Sequence, residues 1–187
     1  MPQLFQSDEP RWQDHRRFFN IRLTPNTRVW LLDEGSLTAR LVAASSEFSV
    51  QVLAQGWQRP RPSERRCLQL KTRDLALVRE VALVCDGQPR VFARSILPHD
   101  TLTGSLHHLR HFGSQSLGSL LYQDPFLHRA SFELAYSGAA EFGIPADISA
   151  AEGLSWGRRS RFLLRQKPLL VSEIFLPAFN EPFKQKR

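Results

Sequence analysis

Two arginines and one glutamate interrupt segments that otherwise have the composition of buried β-strands. Arg79 lies within LALVREVALVC, Arg94 within VFARSIL and Glu173 within LLVSEIFL. Because strand side chains alternate between two faces, Arg79 shares a face with Leu77 and Val81, which places a charge in a row of core residues. An isolated buried charge is strongly unfavourable, so each of the three must be exposed, paired or placed to receive a charged ligand.

The strand pattern alone allows two interpretations of these three residues. In the functional one, Arg79, Arg94 and Glu173 converge in a cavity walled by a sheet, where they suit a small dianion that also carries a hydroxyl. Arginine fits a carboxylate because its planar fork donates two parallel hydrogen bonds. In the structural one, Arg79 and Glu173 form a core salt bridge and Arg94 emerges at a strand end.

Two Ser-Leu pairs stand where an apolar helical period begins. They are Ser36-Leu37 and Ser116-Leu117, and in each the serine can act as the N-cap of a helix. Free amide N–H groups and the positive end of the helix dipole make such starts suitable for carboxylates. Each pair alone is a weak indicator, because most helix caps bind nothing.

The elements that must position these residues form an antiparallel pattern. Strands are predicted at Phe48–Leu53, Leu75–Cys85, Val91–Leu97, Arg161–Leu164 and Leu169–Leu176. Helices are predicted at Leu37–Ser45, Gly104–Phe112 and Leu117–Tyr122. Asp86-Gly87 is a tight-turn signal that makes a hairpin of the second and third strands. Hairpin-linked strands with a few helices indicate an α+β domain, and the missing Gly-rich phosphate fingerprint disfavours a nucleotide fold.

The domain organisation is predicted as one domain with two polar ends. Residues 1–27 are interpreted as an N-terminal arm, 28–179 as the domain and 180–187 as a basic C-terminal tail. Within the domain, the Pro-punctuated stretch 58–66 is predicted to be a loop, and residues 141–155 a long surface connection.

The composition disfavours membrane-spanning, secreted and disulfide-rich proteins. The chain has 187 residues, with 25 Lys plus Arg against 18 Asp plus Glu, a formal charge of +7 that favours anionic partners. There is no apolar run of about 18 residues, so no membrane span is expected, and the first residues do not resemble a secretory signal. Cys67 and Cys85 cannot build a disulfide framework, which predicts a soluble protein of the reducing cytoplasm.

Three other groups of residues invite functional interpretations that their patterns do not favour. The basic run is Arg158, Arg159, Arg161, Arg165 and Lys167. It lacks interleaved aromatic residues beyond Trp156 and Phe162, so a solvated face or an attracting rim is favoured over nucleic-acid binding. His107 and His111 lack a nearby carboxylate or cysteine and make a poor metal site. Cys85 ends an apolar row without a base partner, as a core residue would.

Seven sequence blocks, taken in order, resemble the chorismate lyase family over roughly residues 28–177. The blocks are Leu31–Leu41 (LLDEGSLTARL), Val78–Val81 (VREV), Cys85–Pro89 (CDGQP), Phe92–Pro98 (FARSILP), Ser116–Tyr122 (SLGSLLY), Trp156–Phe162 (WGRRSRF) and Lys167–Pro177 (KPLLVSEIFLP). The last two are the most specific. The resemblance implies a single antiparallel β-sheet with helices packed around it and an internal ligand cavity closed by flaps.

The resemblance also implies an activity and a set of site residues. The activity is removal of pyruvate from chorismate to give 4-hydroxybenzoate, the first committed step of ubiquinone biosynthesis, without a metal or organic cofactor. Arg79 would hold the ring carboxylate, assisted by the amides of Leu37 and Leu117. Glu173 would meet the ring hydroxyl, and Arg94 would lie near the departing pyruvate. Arg79, Arg94 and Glu173 are thus the expected catalytic residues.

The expected partners are the substrate chorismate and the product 4-hydroxybenzoate, bound by a monomer without nucleic acid or stable membrane insertion. Two departures from the family pattern stand out. Leu37 replaces a frequent methionine, and the connection 136–154 is longer than its equivalent. The rival interpretation is a non-catalytic effector-binding domain like those of some bacterial transcription regulators. Those regulators carry an N-terminal winged helix, for which residues 1–27 are too short.

Overall fold

One antiparallel sheet forms the centre of the molecule. The computed structural model describes residues 9–18, 23–111, 113, 115–148 and 153–183. Its strands are β1 (Gln13–Asp14), β2 (Phe48–Gln58), β3 (Ala76–Cys85), β4 (Gln88–Pro98), β5 (Leu127–Arg129), β6 (Glu133–Gly138), β7 (Leu154–Leu164) and β8 (Lys167–Phe175). Within these ranges the spatial order is β1-β6-β7-β8-β4-β3-β2, and β5 pairs with β7. The predicted α+β fold with one antiparallel sheet is confirmed.

Two tight hairpins set the register of the central strands. Asp86 and Gly87 join β3 to β4 with φ angles of 54° and 82°, as the turn signal predicted. Arg165 and Gln166 join β7 to β8 with φ angles of 50° and 66°. Left-handed backbone at both turn positions matches the right-handed twist of the flanking strands.

Helices cover the sheet on both faces. The α-helices are α1 (Pro25–Leu31), α2 (Leu37–Ala44), α3 (Pro62–Leu68), α4 (Leu117–Leu121) and α5 (Ala139–Phe142). Short 3-10 helices span His15–Phe18, His99–Leu102, Gly104–Arg110 and Pro177–Asn180. The two helices predicted from Ser-Leu starts are therefore present as α2 and α4, and the segment predicted at Gly104–Phe112 is a 3-10 helix.

The prediction of a loop at residues 58–66 is confirmed only for residues 59–61. Strand β2 extends to Gln58, and α3 begins at Pro62. Proline is tolerated in the first turn of a helix, where its missing N–H would be unsatisfied anyway. The backbone N–H of Arg61 donates to Glu64 Oε2 at 2.8 Å, which closes the start of α3.

The prediction of a surface connection at residues 141–155 is also wrong in part. Phe142, at the end of α5, and Ile144 are buried, and Phe142 packs edge-on against Trp12 at 5.8 Å between ring centroids. Residues 149–152 lie outside the described ranges. Part of the predicted N-terminal arm joins the sheet as β1, while residues 1–8, 19–22 and the tail from 184 are not described. The domain boundaries stay a prediction.

The alternation predicted for β3 is confirmed, and it defines two faces of the sheet. The front face carries Leu77, Arg79, Val81, Leu83 and Cys85 and is covered by α1, α2, α4 and the 3-10 helix Gly104–Arg110. The back face, with residues such as Val78 and Phe92, is covered by α3 and α5. Among the described residues, no helix is both long and apolar enough to cross a membrane.

Candidate functional site

A cavity lies on the front face, between two apolar clusters. One cluster gathers α1 and α2 over Val81 and Leu83, and the other gathers α4 and the 3-10 helix Gly104–Arg110 over Leu77. The empty space of this hollow, including the part open to solvent, is about 530 Å³. Within the described ranges, the charged residues that line it are Arg79, Arg129, Arg158 and Glu173. Apolar walls with a few polar groups are typical of a small-molecule site.

Arg79 projects from β3 into this cavity. It is only 1% exposed, and its Nη2 donates to the carbonyl oxygens of Gly113 at 2.5 Å and Gln115 at 3.2 Å. Burial lowers the pKa of Arg79, because its charged form has lost solvation. A carboxylate bound beside it would offset that loss.

The starts of α2 and α4 have the caps predicted from the Ser-Leu pairs. Ser36 Oγ accepts from the backbone N–H of Ala39 at 3.3 Å. Ser116 Oγ accepts from that of Ser119 at 3.4 Å. Each serine satisfies one of the N–H groups that a helix start leaves without an intrahelical partner.

The two helix starts meet at the cavity. Leu37 and Leu117, the first residues of α2 and α4, both line it. The hydroxyls of Thr38 and Ser116 are 2.6 Å apart and tie the starts together. A Cβ at Gly118 would be 3.2 Å from Thr38 Oγ1, so glycine allows this close approach. The geometry therefore brings two sets of free amides to the same hollow as Arg79.

Glu173 is paired with Arg158 and not with Arg79. The two residues are opposite each other on β8 and β7, and Arg158 Nε donates to Glu173 Oε2 at 2.6 Å. The Arg158 side chain is 1% exposed, whereas that of Glu173 is 18% exposed. The proposed Arg79–Glu173 core salt bridge is thus wrong, although both residues line one cavity. Among the described residues no other group donates to Glu173, so its Oε1 can accept from a ligand.

Arg158 also holds the segment that covers the cavity. Its Nη1 donates to the carbonyl oxygens of Trp30 at 3.1 Å and Asp33 at 2.7 Å. These carbonyls lie at the end of α1 and in the segment that leads to α2. Arg158, a side chain of the sheet, therefore holds the segment that covers the cavity by binding backbone carbonyls of that segment.

Arg129, the last residue of β5, makes the same kind of contact. Its Nε and Nη2 both donate to Ser160 Oγ, at 2.9 Å and 2.7 Å, and its Nη1 donates to the carbonyl of Glu34 at 2.8 Å. Tyr122 Oη, which accepts from Arg129 Nη1 at 3.2 Å, donates to the carbonyls of Glu34 and Gly35. This network joins the segment before α2 to the end of α4.

The sequence interpretation missed both Arg129 and Arg158 as cavity residues. A signal existed for Arg158, which has the same parity on β7 as Ser160, Phe162 and Leu164, all of them buried. Arg129 lies on a strand of three residues, too short to show any alternation.

The expectation that Arg94 converges with Arg79 and Glu173 is wrong. In the register of β3 and β4, Arg79 is opposite Ser95, so Arg94 is opposite Glu80 and points to the back face. There its Nε donates to Glu64 Oε1 at 2.7 Å and its Nη1 to Glu80 at 2.5 Å. Burial opposes the charged form, but Glu64 and Glu80 outweigh it and raise the pKa of Arg94.

The remaining sequence candidates have structural roles. Arg159 is buried on the back face and donates to Glu133 Oε2 at 2.7 Å, so the basic run is not a continuous surface patch. Cys85 is a core residue, and burial raises the pKa of its thiol. His107 is exposed, and no cluster of three or more metal-binding side chains occurs within the described ranges.

Comparisons with known proteins agree on one family. A family model described as chorismate lyase matches residues 9–185. A probable chorismate pyruvate-lyase of Aromatoleum aromaticum is 43% identical over 86% of this chain and 89% of the relative. A probable chorismate pyruvate-lyase 2 of Pseudomonas fluorescens is 40% identical over 96% of both chains.

Solved structures share the fold at low sequence identity. The effector domain of PhnF from Mycobacterium smegmatis covers 83% of this chain and 96% of its own, with a TM-score of 0.58 and 14% identity. A GntR-family regulator from Enterococcus faecalis covers 75% and 98%, with a TM-score of 0.51 and 16% identity. At such identities the likeness concerns the fold alone.

Proposed function

The chain belongs to the chorismate lyase family, and we propose that it removes pyruvate from chorismate to give 4-hydroxybenzoate for ubiquinone synthesis. The observation that carries this proposal is the shared cavity of Arg79, Glu173 and the starts of α2 and α4. Its polar groups stand at two places: a guanidinium with helix amides, and a carboxylate on a different strand. A ring with a carboxylate at C1 and a hydroxyl at C4 matches that arrangement.

The reaction places modest demands on the protein. Chorismate carries a ring carboxylate, a hydroxyl at C4 and an enolpyruvyl ether at C3 that bears a second carboxylate. The C3–O bond breaks, the ring loses the hydrogen of C4 and becomes aromatic, and the departing group becomes pyruvate with one hydrogen gained. Because aromatisation drives the reaction, the enzyme needs to fix a reactive conformer and stabilise the charge that develops on the leaving oxygen.

Each group of the cavity has a role in this scheme. Arg79 and the amides of Leu37 and Leu117 anchor the ring carboxylate through charge-assisted hydrogen bonds. Glu173 accepts a hydrogen bond from the C4 hydroxyl and orients that carbon. Arg158 fixes the Glu173 carboxylate through its Nε. Arg94 has no part in the scheme, because it lies behind the sheet with two glutamates of its own.

The direct test mixes the purified protein with chorismate and follows pyruvate with a coupled dehydrogenase and 4-hydroxybenzoate by chromatography. We expect equimolar amounts of both products, and none with the Arg79→Ala variant. Tight binding of 4-hydroxybenzoate without any pyruvate would contradict the proposal and identify a ligand-binding module, the role to which the effector-domain fold also lends itself.

A further inference from the structure

The cavity carries more positive charge than one carboxylate requires. Among the residues that the structure describes, three arginines and one glutamate line it, a net charge of two. Arg79 is assigned to the ring carboxylate in the proposed function, and Glu173 to the hydroxyl. Arg129 and Arg158 remain, and Glu173, whose side chain is 18% exposed, pairs with Arg158 alone. Such an excess is costly in a desolvated site unless a second anion enters.

The two remaining arginines meet at one point of the cavity wall. Arg158 Nη1 and Arg129 Nη1 both donate to the carbonyl oxygen of Asp33, at 2.7 Å and 3.4 Å. Burial and, after it, the charge of Arg158 lower the pKa of Arg129. Two cations held this close in a buried place form a suitable receptor for a carboxylate.

Arg158 retains a donor for such a ligand. Its Nε and Nη1 are engaged by Glu173, Trp30 and Asp33, whereas its Nη2 donates to none of the described residues. The Arg158 side chain as a whole is 1% exposed and lines the cavity, so this Nη2 has little access to bulk solvent. A guanidinium N–H with so little access to water favours an acceptor that enters the cavity.

The covalent structure of the substrate also places its second carboxylate near Arg158 and Arg129. The enolpyruvyl ether is on C3, next to the C4 whose hydroxyl meets Glu173. The second carboxylate must therefore lie near Glu173 and away from the group that holds C1. Arg158 is opposite Glu173 across the β7–β8 pair, and Arg129 donates a hydrogen bond to Ser160, two residues further along β7 than Arg158.

We propose that Arg158 and Arg129 form a second carboxylate subsite, which binds the enolpyruvyl carboxylate and distinguishes the dianionic substrate from the monoanionic product. The proposal rests on the proposed function for the identity of the substrate. It assigns Arg129 a role in discrimination, since the product lacks the group that it would hold. Arg158 contributes to the binding of both substrate and product, because it also fixes Glu173.

The test compares two stable acids by calorimetry. 3-(Carboxymethoxy)-4-hydroxybenzoate has the ring carboxylate, the hydroxyl and a second carboxylate on an ether at C3, whereas 4-hydroxybenzoate lacks the last group. In Arg129→Gln, we expect affinity for the diacid to fall about tenfold or more, as for one lost charge-assisted bond, and affinity for the monoacid to stay within about threefold. Arg129→Lys, which keeps the charge without the fork, should lose less.

The matched control is Arg165→Gln, which removes the same charge from a half-exposed arginine on the β7–β8 turn. It should leave both affinities unchanged. Equal losses for the two acids in folded Arg129→Gln, or an undiminished affinity for the diacid, would overturn the subsite. Because this readout needs no turnover, it is independent of pyruvate release: a protein that binds the diacid selectively but never converts chorismate would refute the proposed function and leave the subsite standing.

Discussion

The two faces of the sheet use buried arginine in opposite ways. On the back face a polar row crosses five strands in register: Glu80, Arg94, Ser172, Arg159 and Glu133. Its arginines are each matched by carboxylates, with Glu64 of α3 as a further partner. On the front face, the described residues place three arginines and one glutamate in the cavity, and each of these arginines also donates to backbone carbonyls of the segments that cover it.

The comparison teaches that burial of an arginine does not by itself identify a binding site. Neighbouring carboxylates raise the pKa of Arg94 despite its burial, and its pairs are complete without a ligand. Burial lowers the pKa of Arg79, which lies beside a hollow and two helix starts. An excess of positive charge next to empty space indicates a ligand, whereas arginines that all face carboxylates indicate a structural role.

The largest effect should come from the front face. Arg79→Ala is expected to weaken binding of 4-hydroxybenzoate by about 100-fold or more and to abolish turnover, because two charge-assisted hydrogen bonds are lost. Isothermal titration with the product measures the affinity. Arg159→Lys is the control, as it keeps the charge facing Glu133 on the back face. Wild-type affinity in Arg79→Ala would remove Arg79 from the site.

A substitution on the back face should lower the stability of the protein and leave ligand binding nearly unchanged. Arg94→Ala leaves Glu64 buried beside Glu80 without their shared cation. We expect the free energy of unfolding to fall by about 3 to 5 kcal/mol, as for a buried pair that loses one partner. Urea denaturation measures this loss. Product affinity of the folded variant should change little, and a large loss of affinity with unchanged stability would reverse the roles of the two faces.

A smaller effect is expected from the front-face carboxylate. Glu173→Gln keeps the shape and the hydrogen bonding to the hydroxyl but removes the charge that Arg158 faces. Product affinity and kcat should each fall by about tenfold if Glu173 orients the substrate. Complete inactivity with normal product affinity would instead indicate acid–base chemistry. Glu133→Gln, which removes the matching carboxylate on the back face, should leave kcat unchanged.

The smallest effect concerns the cover of the cavity. Tyr122→Phe keeps the ring against Phe162 but loses the hydrogen bonds to the carbonyls of Glu34 and Gly35. Release of 4-hydroxybenzoate should become about fivefold faster, the value of roughly 1 kcal/mol of hydrogen bonding. Stopped-flow displacement measures the release rate, and Tyr136→Phe, at an exposed tyrosine, is the control. An unchanged release rate would show that the hydroxyl does not secure the cover.

Strand alternation predicted the face of each residue within its own strand, and the serine caps predicted the starts of α2 and α4. The pairing of one strand with the next depends on register, which the hydrophobic pattern of a strand buried on both sides does not determine. That is why Arg94 was expected beside Arg79 and why Arg158 was not recognised as the partner of Glu173. Helix α3 was missed because its Pro62 and its charged residues have the composition of a loop.

The most direct test of the central claim is a crystal structure of the protein with 4-hydroxybenzoate. We predict that its carboxylate lies within hydrogen-bond distance of the Arg79 guanidinium and the amides of Leu37 and Leu117, and its hydroxyl beside Glu173. A ligand bound on the back face next to Arg94, or one whose carboxylate turns toward Arg158 while Arg79 stays without it, would contradict the account.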